Sequence, residues 1–223
     1  MLPQKLAAEA LGTGMLVAGV LGSGIMAERL SDDVGLQLLE NAFATSGILL
    51  AIILAFGPVS GAHFNPVVTL TELARRSIPP RQAGLYVVVQ IVGGVLGAIA
   101  VNVMFDLAPI NVSDKDRSGG DLLFAEVLAT IGLLLVIYGV VTAGKPHYAA
   151  ATVAGYIGAA YWFTSSTSFA NPAVTIPRTL SDTFAGIAPT NAAGFVLAQL
   201  VGAAIGIPLI AWLFRHNEAG APD

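Results

Sequence analysis

The chain has 223 residues, of which 55% are hydrophobic and only 11% charged, against about 25% charged in soluble domains. Its net charge of −4 comes with no basic stripe for nucleic acid, and the lack of cysteine excludes disulfides, thiolate metal sites and a cysteine nucleophile. Charge this sparse on a chain this apolar implies a surface that faces lipid.

The first apolar run extends from Leu6 to Met26, follows a single lysine and carries no convincing signal-peptide cleavage site. It reads as a retained span. A membrane-crossing helix needs roughly 20 mostly apolar residues. Six stretches fit: 6–27, 36–57, 83–105, 122–142, 148–164 and 192–214, the fifth short and merging into a Ser/Thr-rich segment. Two loops between them, 58–76 and 165–184, are too apolar for ordinary solvent loops. With the N-terminus inside, Lys5, Arg75, Arg76, Arg81, Lys145 and Arg215 fall on the cytoplasmic side, against Arg29, Lys115, Arg117 and Arg178 opposite. This bias predicts that both termini are cytoplasmic.

The chain repeats itself. Ala8-Glu9-Ala10-Leu11-Gly12-Thr13 is echoed by Ala125-Glu126-Val127-Leu128-Ala129-Thr130, and Asn65-Pro66-Val67-Val68-Thr69 by Asn171-Pro172-Ala173-Val174-Thr175. Gln90-Ile91-Val92-Gly93 is echoed by Gln199-Leu200-Val201-Gly202. The order is the same in both halves, which predicts one transmembrane domain over 1–223 made of repeats 1–110 and 121–223. Each repeat holds three spans, so the second enters the membrane from the opposite side and the repeats are inverted.

Asparagine is a good N-cap and proline suits the first helical position. Each Asn-Pro therefore starts a helix, predicted over 66–76 and 172–183. At 1.5 Å per residue, about ten residues span half the hydrocarbon thickness, so these are re-entrant half-helices. Non-helical backbone at membrane depth survives when it is buried in protein or lines a wet cavity. Gly61-Ala62-His63-Phe64 and Thr167-Ser168-Phe169-Ala170 fit that role, with carbonyls of Gly61, Ala62, His63 and Phe169 forming an acceptor ladder. Two helix N-termini, each carrying roughly +0.5 charge, repel cations at the centre while the Asn amides donate to a solute. The expectation is an all-α membrane protein with six transmembrane helices, two half-helices and a pore for neutral molecules.

Ser60-Gly61-Ala62-His63-Phe64-Asn65-Pro66-Val67-Val68-Thr69 resembles the first signature of the aquaporin and aquaglyceroporin family, and Asn171-Pro172-Ala173 resembles the second. The resemblance covers nearly the whole chain. It implies a homotetramer with one pore per subunit, lodged in a cell membrane, with small neutral solutes and lipid as partners and no cofactor. The first motif departs from the family in having Val67 for alanine, which predicts a small packing adjustment where the half-helices meet. The second departs further: the arginine usual after Asn-Pro-Ala is replaced by Val174. Spacing from the two asparagines carries the rest of the family's constriction onto Thr45, Ala159 and Ser168. A ring of Thr45, Ala159, Ser168 and Val174 is wide and uncharged and suits solutes up to glycerol size. Asn171 to Ile176 resembles the second loop of a bacterial subgroup linked to arsenic detoxification. That implies neutral arsenite and methylated arsenicals as cargo and a bacterial inner membrane as location. A water-selective pore is the competing reading, followed by a proton-coupled secondary transporter.

Arg178 lies four residues after Val174, about 6 Å further outward on the same face of a continuing helix. It is a candidate for the outer vestibule, with an ordinary surface arginine as the alternative and Pro177 able to kink the helix. Glu9 and Glu126 lie within apolar spans at equivalent places in the repeats. They read as braces that accept loop N–H groups, against a proton-coupling role. His63 reads as a loop anchor, against a pH gate. Ser165 to Ser168 have no base and acid partner in the sequence, which argues against an enzyme.

Overall fold

The computed structural model describes residues 1–215 and is built from eight α-helices in that range. They are α1 (Leu2–Leu30), α2 (Val34–Ser60), α3 (Pro66–Ala74), α4 (Pro80–Met104), α5 (Gly120–Thr142), α6 (Ala149–Phe163), α7 (Pro172–Thr175) and α8 (Pro189–Leu213). The expected second repeat runs to 223, so its residues 216–223, and the carboxyl terminus itself, lie outside the described residues.

Five helices, α1, α2, α4, α5 and α8, are long and apolar enough to cross a membrane. The sixth span expected from the sequence is α6. It has only 15 residues, lengthened by a 3-10 turn over Pro146–Tyr148. Large apolar side chains such as Leu11, Phe43, Leu96, Phe124, Trp162 and Trp212 remain exposed on the helices. On a soluble protein such a surface would aggregate; here it meets lipid in a multi-pass membrane protein.

The two halves pack alike. α1 lies against α4 and α2, and α5 against α8 and α6. Glycine permits the closest crossings. A Cβ on Gly97 would come within 2.9 Å of the Gly14 backbone in α1, and one on Gly202 within 2.8 Å of the Val127 carbonyl in α5. The short helices lie across the seam between repeats, with α3 touching α8 as well as α4, and α7 touching α4 as well as α8. Val67 is fully buried in a cluster with Leu134, Tyr138, Ala203 and Ile210 of α5 and α8. Its extra methyls, expected at the meeting of the half-helices, have their apolar partners on those two long helices.

The second half-helix is shorter than the expected 172–183. α7 ends after one turn, and Pro177–Leu180 continue as a 3-10 turn. Pro177 has no N–H for the carbonyl of Ala173, and its ring crowds that oxygen. The bend fits because Gly94 faces it: a Cβ there would come within 2.6 Å of the Ala173 carbonyl oxygen and 2.7 Å of Pro177 Cγ. Two faces follow from the chain path. One, the terminal face, carries residue 1 and the turns near 75–79 and 143–148. The other, the far face, carries 105–119 and the loop after α6.

Segment 105–119 straps the far face. The N–H of Asn111 donates to Leu180 O (3.0 Å), Ser113 N–H to Thr179 O (2.9 Å) and Ala188 N–H to Lys115 O (2.8 Å). Asn102 of α4 secures the same stretch, donating to Leu180 O (2.7 Å) and accepting from Ser181 Oγ (2.7 Å).

Candidate functional site

Each re-entrant loop is hung on a buried glutamate. Glu9 Oε1 accepts from Ser60 Oγ (2.6 Å) and His63 N (3.0 Å), and its Oε2 from Phe64 N (2.8 Å) and Gln90 Nε2 (2.7 Å). Glu126 Oε1 accepts from Phe169 N (2.8 Å), and its Oε2 from Ala170 N (2.9 Å) and Gln199 Nε2 (2.7 Å). The glutamines go on to the motif threonines, Gln90 to Thr69 Oγ1 (3.0 Å) and Gln199 to Thr175 Oγ1 (2.9 Å). Both glutamates are wholly buried. Charge-assisted bonds from convergent donors are what make a buried carboxylate tolerable.

Those bonds force the loop backbone into an uncommon shape. Ala62, Phe64, Ser168 and Ala170 have φ of 51°, 48°, 52° and 48°, in the left-handed region that L-residues avoid. In this shape the N–H groups of Phe64 and Ala170 reach the glutamates while their carbonyls turn to the opposite loop. Asn65 Nδ2 donates to Ala170 O (2.8 Å), and Asn171 Nδ2 donates to Phe64 O (2.8 Å). Each asparagine also caps its own helix, Oδ1 accepting from Val67 N and from Ala173 N (both 2.9 Å). The capped ends of α3 and α7 are thereby locked together by a reciprocal pair, and one N–H on each amide is left over.

That spare N–H has somewhere to point. Asn65 and Asn171 both line a cavity of about 620 Å³ whose lining reaches from Glu72, Pro146 and His147 near the terminal face to Ser168 and Arg178 near the far face. Its wall is two-sided. Leu16, Val20, Leu49, Leu133, Val153 and Ile157 form an apolar half, while Gly61, Ala62, His63 and Phe169 bring loop backbone to the other. His63 is also anchored, its Nδ1 3.0 Å from Thr69 Oγ1. A path with one greasy side and one hydrogen-bonding side suits a molecule that is itself carbon on one side and hydroxyl on the other.

Of the four expected constriction residues, Thr45, Ser168 and Val174 line this cavity. Ala159 does not: it is exposed on the outside of α6. The helical period explains the difference. Val153, Ile157 and Tyr161, spaced by four, are buried and face the cavity, which turns 159 half a circle away. Sequence reasoning missed Tyr161, whose hydroxyl stands 3.0 Å from Thr45 Oγ1; following α6 from Val153 in steps of four would have found it.

Arg178 lines the cavity and is only 2% exposed. Its Nε donates to Ala185 O, and its guanidinium lies 3.3 Å from the Phe169 ring centroid. Arg117, from the strap, approaches the same ring at 5.1 Å and donates from Nε to Gly186 O (2.8 Å) and from Nη2 to Phe184 O (3.3 Å). Burial lowers the Arg117 pKa, opposed by nearby Tyr161 and Glu126. Burial also lowers the Lys115 pKa, with Arg117 adding to the effect, and its amine donates to Phe184 O (2.7 Å). Nothing in the sequence near Arg117 places it beside Phe169, because the strap brings it there across the fold. Among the described residues no group of three or more His, Cys, Asp or Glu could hold a metal ion.

Comparison with known proteins gives one answer. The profile of the major intrinsic protein family matches residues 2–165. The chain is 44% identical over 217 residues to aquaglyceroporin AqpS of Rhizobium meliloti (strain 1021), covering 96% of this chain and 91% of that protein. It is 34% identical over 145 residues to the probable aquaporin NIP4-2 of Arabidopsis thaliana, covering 63% of this chain and 50% of that one. The X-ray structure of the aquaglyceroporin from Plasmodium falciparum superposes with a TM-score of 0.73, at 18% identity, over 99% of this chain and all of that one. That likeness is of fold.

Proposed function

The chain belongs to the major intrinsic protein family, and from that premise we propose how its pore selects solutes. The protein is a passive transmembrane channel for water and small uncharged solutes. Glycerol-like polyols pass because the constriction has Val174 where a water filter places a cation, with Thr45, Ser168 and Tyr161 supplying hydroxyls around it. The reading rests above all on the reciprocal bonding of Asn65 and Asn171 beside a cavity lined from both faces. Those amides hand a solute across the midplane. Cations are rejected by the positive ends of α3 and α7. Because α7 has a single turn, its dipole is weak, and the Arg178 guanidinium in the outer vestibule supplies positive potential on that side.

Neutral arsenite, a polyol-sized trihydroxide, is a further solute of this pore. Its support is the resemblance of Asn171–Ile176 to the arsenic-linked bacterial subgroup. Four subunits assemble with one pore each in a bacterial inner membrane, both termini in the cytoplasm, in keeping with the Lys/Arg bias. Glu9 and Glu126 brace the loops, their oxygens engaged by loop and glutamine donors.

Proteoliposomes test the proposal. Stopped-flow traces are expected to report glycerol uptake well above empty vesicles and indifferent to a pH gradient. Val174→Arg is expected to cut glycerol flux at least about tenfold while water flux falls less, the loss of roughly 1.4 kcal/mol or more of solute passage. Glycerol flux unchanged in that variant would remove Val174 from the constriction, and flux driven by a pH gradient would make the protein a transporter.

A further inference from the structure

We propose that the far mouth of the pore is a binding subsite for a small hydroxylated oxyacid in its monoanionic form, held by Arg178 and Ser168 and reinforced by Arg117. The inference rests on the reading of the cavity as a solute pore and adds a charged class of ligand to it.

Arg178 is the starting point. Its Nε is committed to Ala185 O, which fixes the plane of the guanidinium against Phe169. Among the described residues, no hydrogen bond or ion pair takes up its terminal nitrogens. A buried charge without a counter-charge is expensive, and proteins keep one where something arrives to meet it. With Nε tied back, the two terminal nitrogens form the end-on fork that carboxylates and related oxyanions accept bidentately.

Arg117 strengthens the case. Its guanidinium approaches the same Phe169 ring, so two cations meet at one aromatic side chain. Its own donors go to the carbonyls of Gly186 and Phe184, not to a carboxylate. Two like charges held together raise each other's energy, and a bound anion lowers it for both. Glu126 offsets this in part, but among the described residues it makes no hydrogen bond to either guanidinium. Glu126 is buried behind the loop and engaged by three donors, and Glu72 lines the opposite end of the cavity, where it accepts from Tyr138.

Ser168 is an independent observation. It lines the same cavity, is 3% exposed, and its Oγ has no hydrogen-bond partner. Its backbone is held with φ at 52°, so the hydroxyl is presented by a rigid loop. An orphan buried hydroxyl is costly, and a ligand oxygen recovers that cost on binding. The Thr45–Tyr161 hydroxyl pair completes the mouth and can give to or take from a ligand hydroxyl. An anionic head for the fork, a hydroxyl for the pair and a small carbon skeleton describe a two- or three-carbon hydroxy acid.

Glycolate and glycolamide differ by little except charge, so they are the probes. Stopped-flow glycerol uptake into proteoliposomes at pH 7 is measured with either compound present on both sides. Wild-type protein is expected to be half-inhibited by glycolate at a concentration about tenfold or more below that for glycolamide. Arg178→Gln should erase the preference, Arg178→Lys should retain part of it, and Arg117→Gln should shrink it about threefold or more. Equal potency of the two compounds on wild-type protein overturns the proposal without any variant. A preference that persists in both Arg178→Gln and Arg117→Gln overturns it as well. Should Arg178→Gln fail to insert, the wild-type comparison and Arg117→Gln still decide. If wild-type protein passes no glycerol, the pore reading is what fails. Calorimetric titration of the purified protein with glycolate then reads the subsite alone: heat with glycolate and none with glycolamide supports it, and equal heats overturn it.

Discussion

Glu126→Gln tests the support of the second loop most directly. The carboxylate receives three donors, Phe169 N, Ala170 N and Gln199 Nε2, in a wholly buried position. A glutamine there keeps one acceptor oxygen and turns an N–H₂ group toward at least one of those donors. One buried N–H left unpaired costs about 1–3 kcal/mol, and two charge-assisted bonds reduced to neutral ones lose about 1 kcal/mol each. The sum is about 3–5 kcal/mol. Gln199 limits the damage: its Oε1 has no partner, so a flipped amide can accept from the new N–H₂, though it then gives up its bond to Thr175. We therefore expect the lower end of the range for Glu126→Gln and the upper end for Glu126→Ala. At about 2–4 °C per kcal/mol for a chain of this size, the melting temperature in detergent should fall by roughly 6–12 °C in the glutamine variant. Glycerol flux should fall with it, because the Asn171 amide is positioned by the same loop. Flux and melting temperature both within error of wild type would refute the brace and reopen the carboxylate as a functional proton site.

On α6, Ile157→Trp should block the cavity and reduce glycerol flux about tenfold or more, whereas Ala159→Trp, on the exposed side of that helix, should change it less than about twofold; equal effects would mean the helix is rotated from the position described. Gly97→Val places a branched side chain against the Gly14 backbone, and it should cost about 1–3 kcal/mol or more by prising α1 from α4. Thermal unfolding reads the loss, and an unchanged melting temperature would contradict the close crossing.

What the sequence alone determined is the part of the protein governed by local pattern and internal symmetry. Length and apolarity located the long spans. The echo of Glu9, Asn65 and Gln90 in Glu126, Asn171 and Gln199 revealed the inverted repeat, and Asn-Pro marked each capped helix start, because capping is a contact between neighbours in the chain. Counting from those landmarks led to Thr45, Ser168 and Val174, which line the cavity. Ala159 was not placed correctly, since a residue count along a loop and helix says nothing of how the helix is rotated about its axis; packing against α2 and α5 sets that angle and brings Tyr161 inward. The length of the second half-helix was overestimated because Pro177's effect depends on whether a neighbour gives the bent backbone room, and Gly94 does. The pairing of two arginines on one ring lay furthest from view. Arg117 and Arg178 are 61 positions apart in the chain, and only the strap over the far face, held by backbone bonds between distant segments, sets both guanidinium groups on the Phe169 ring.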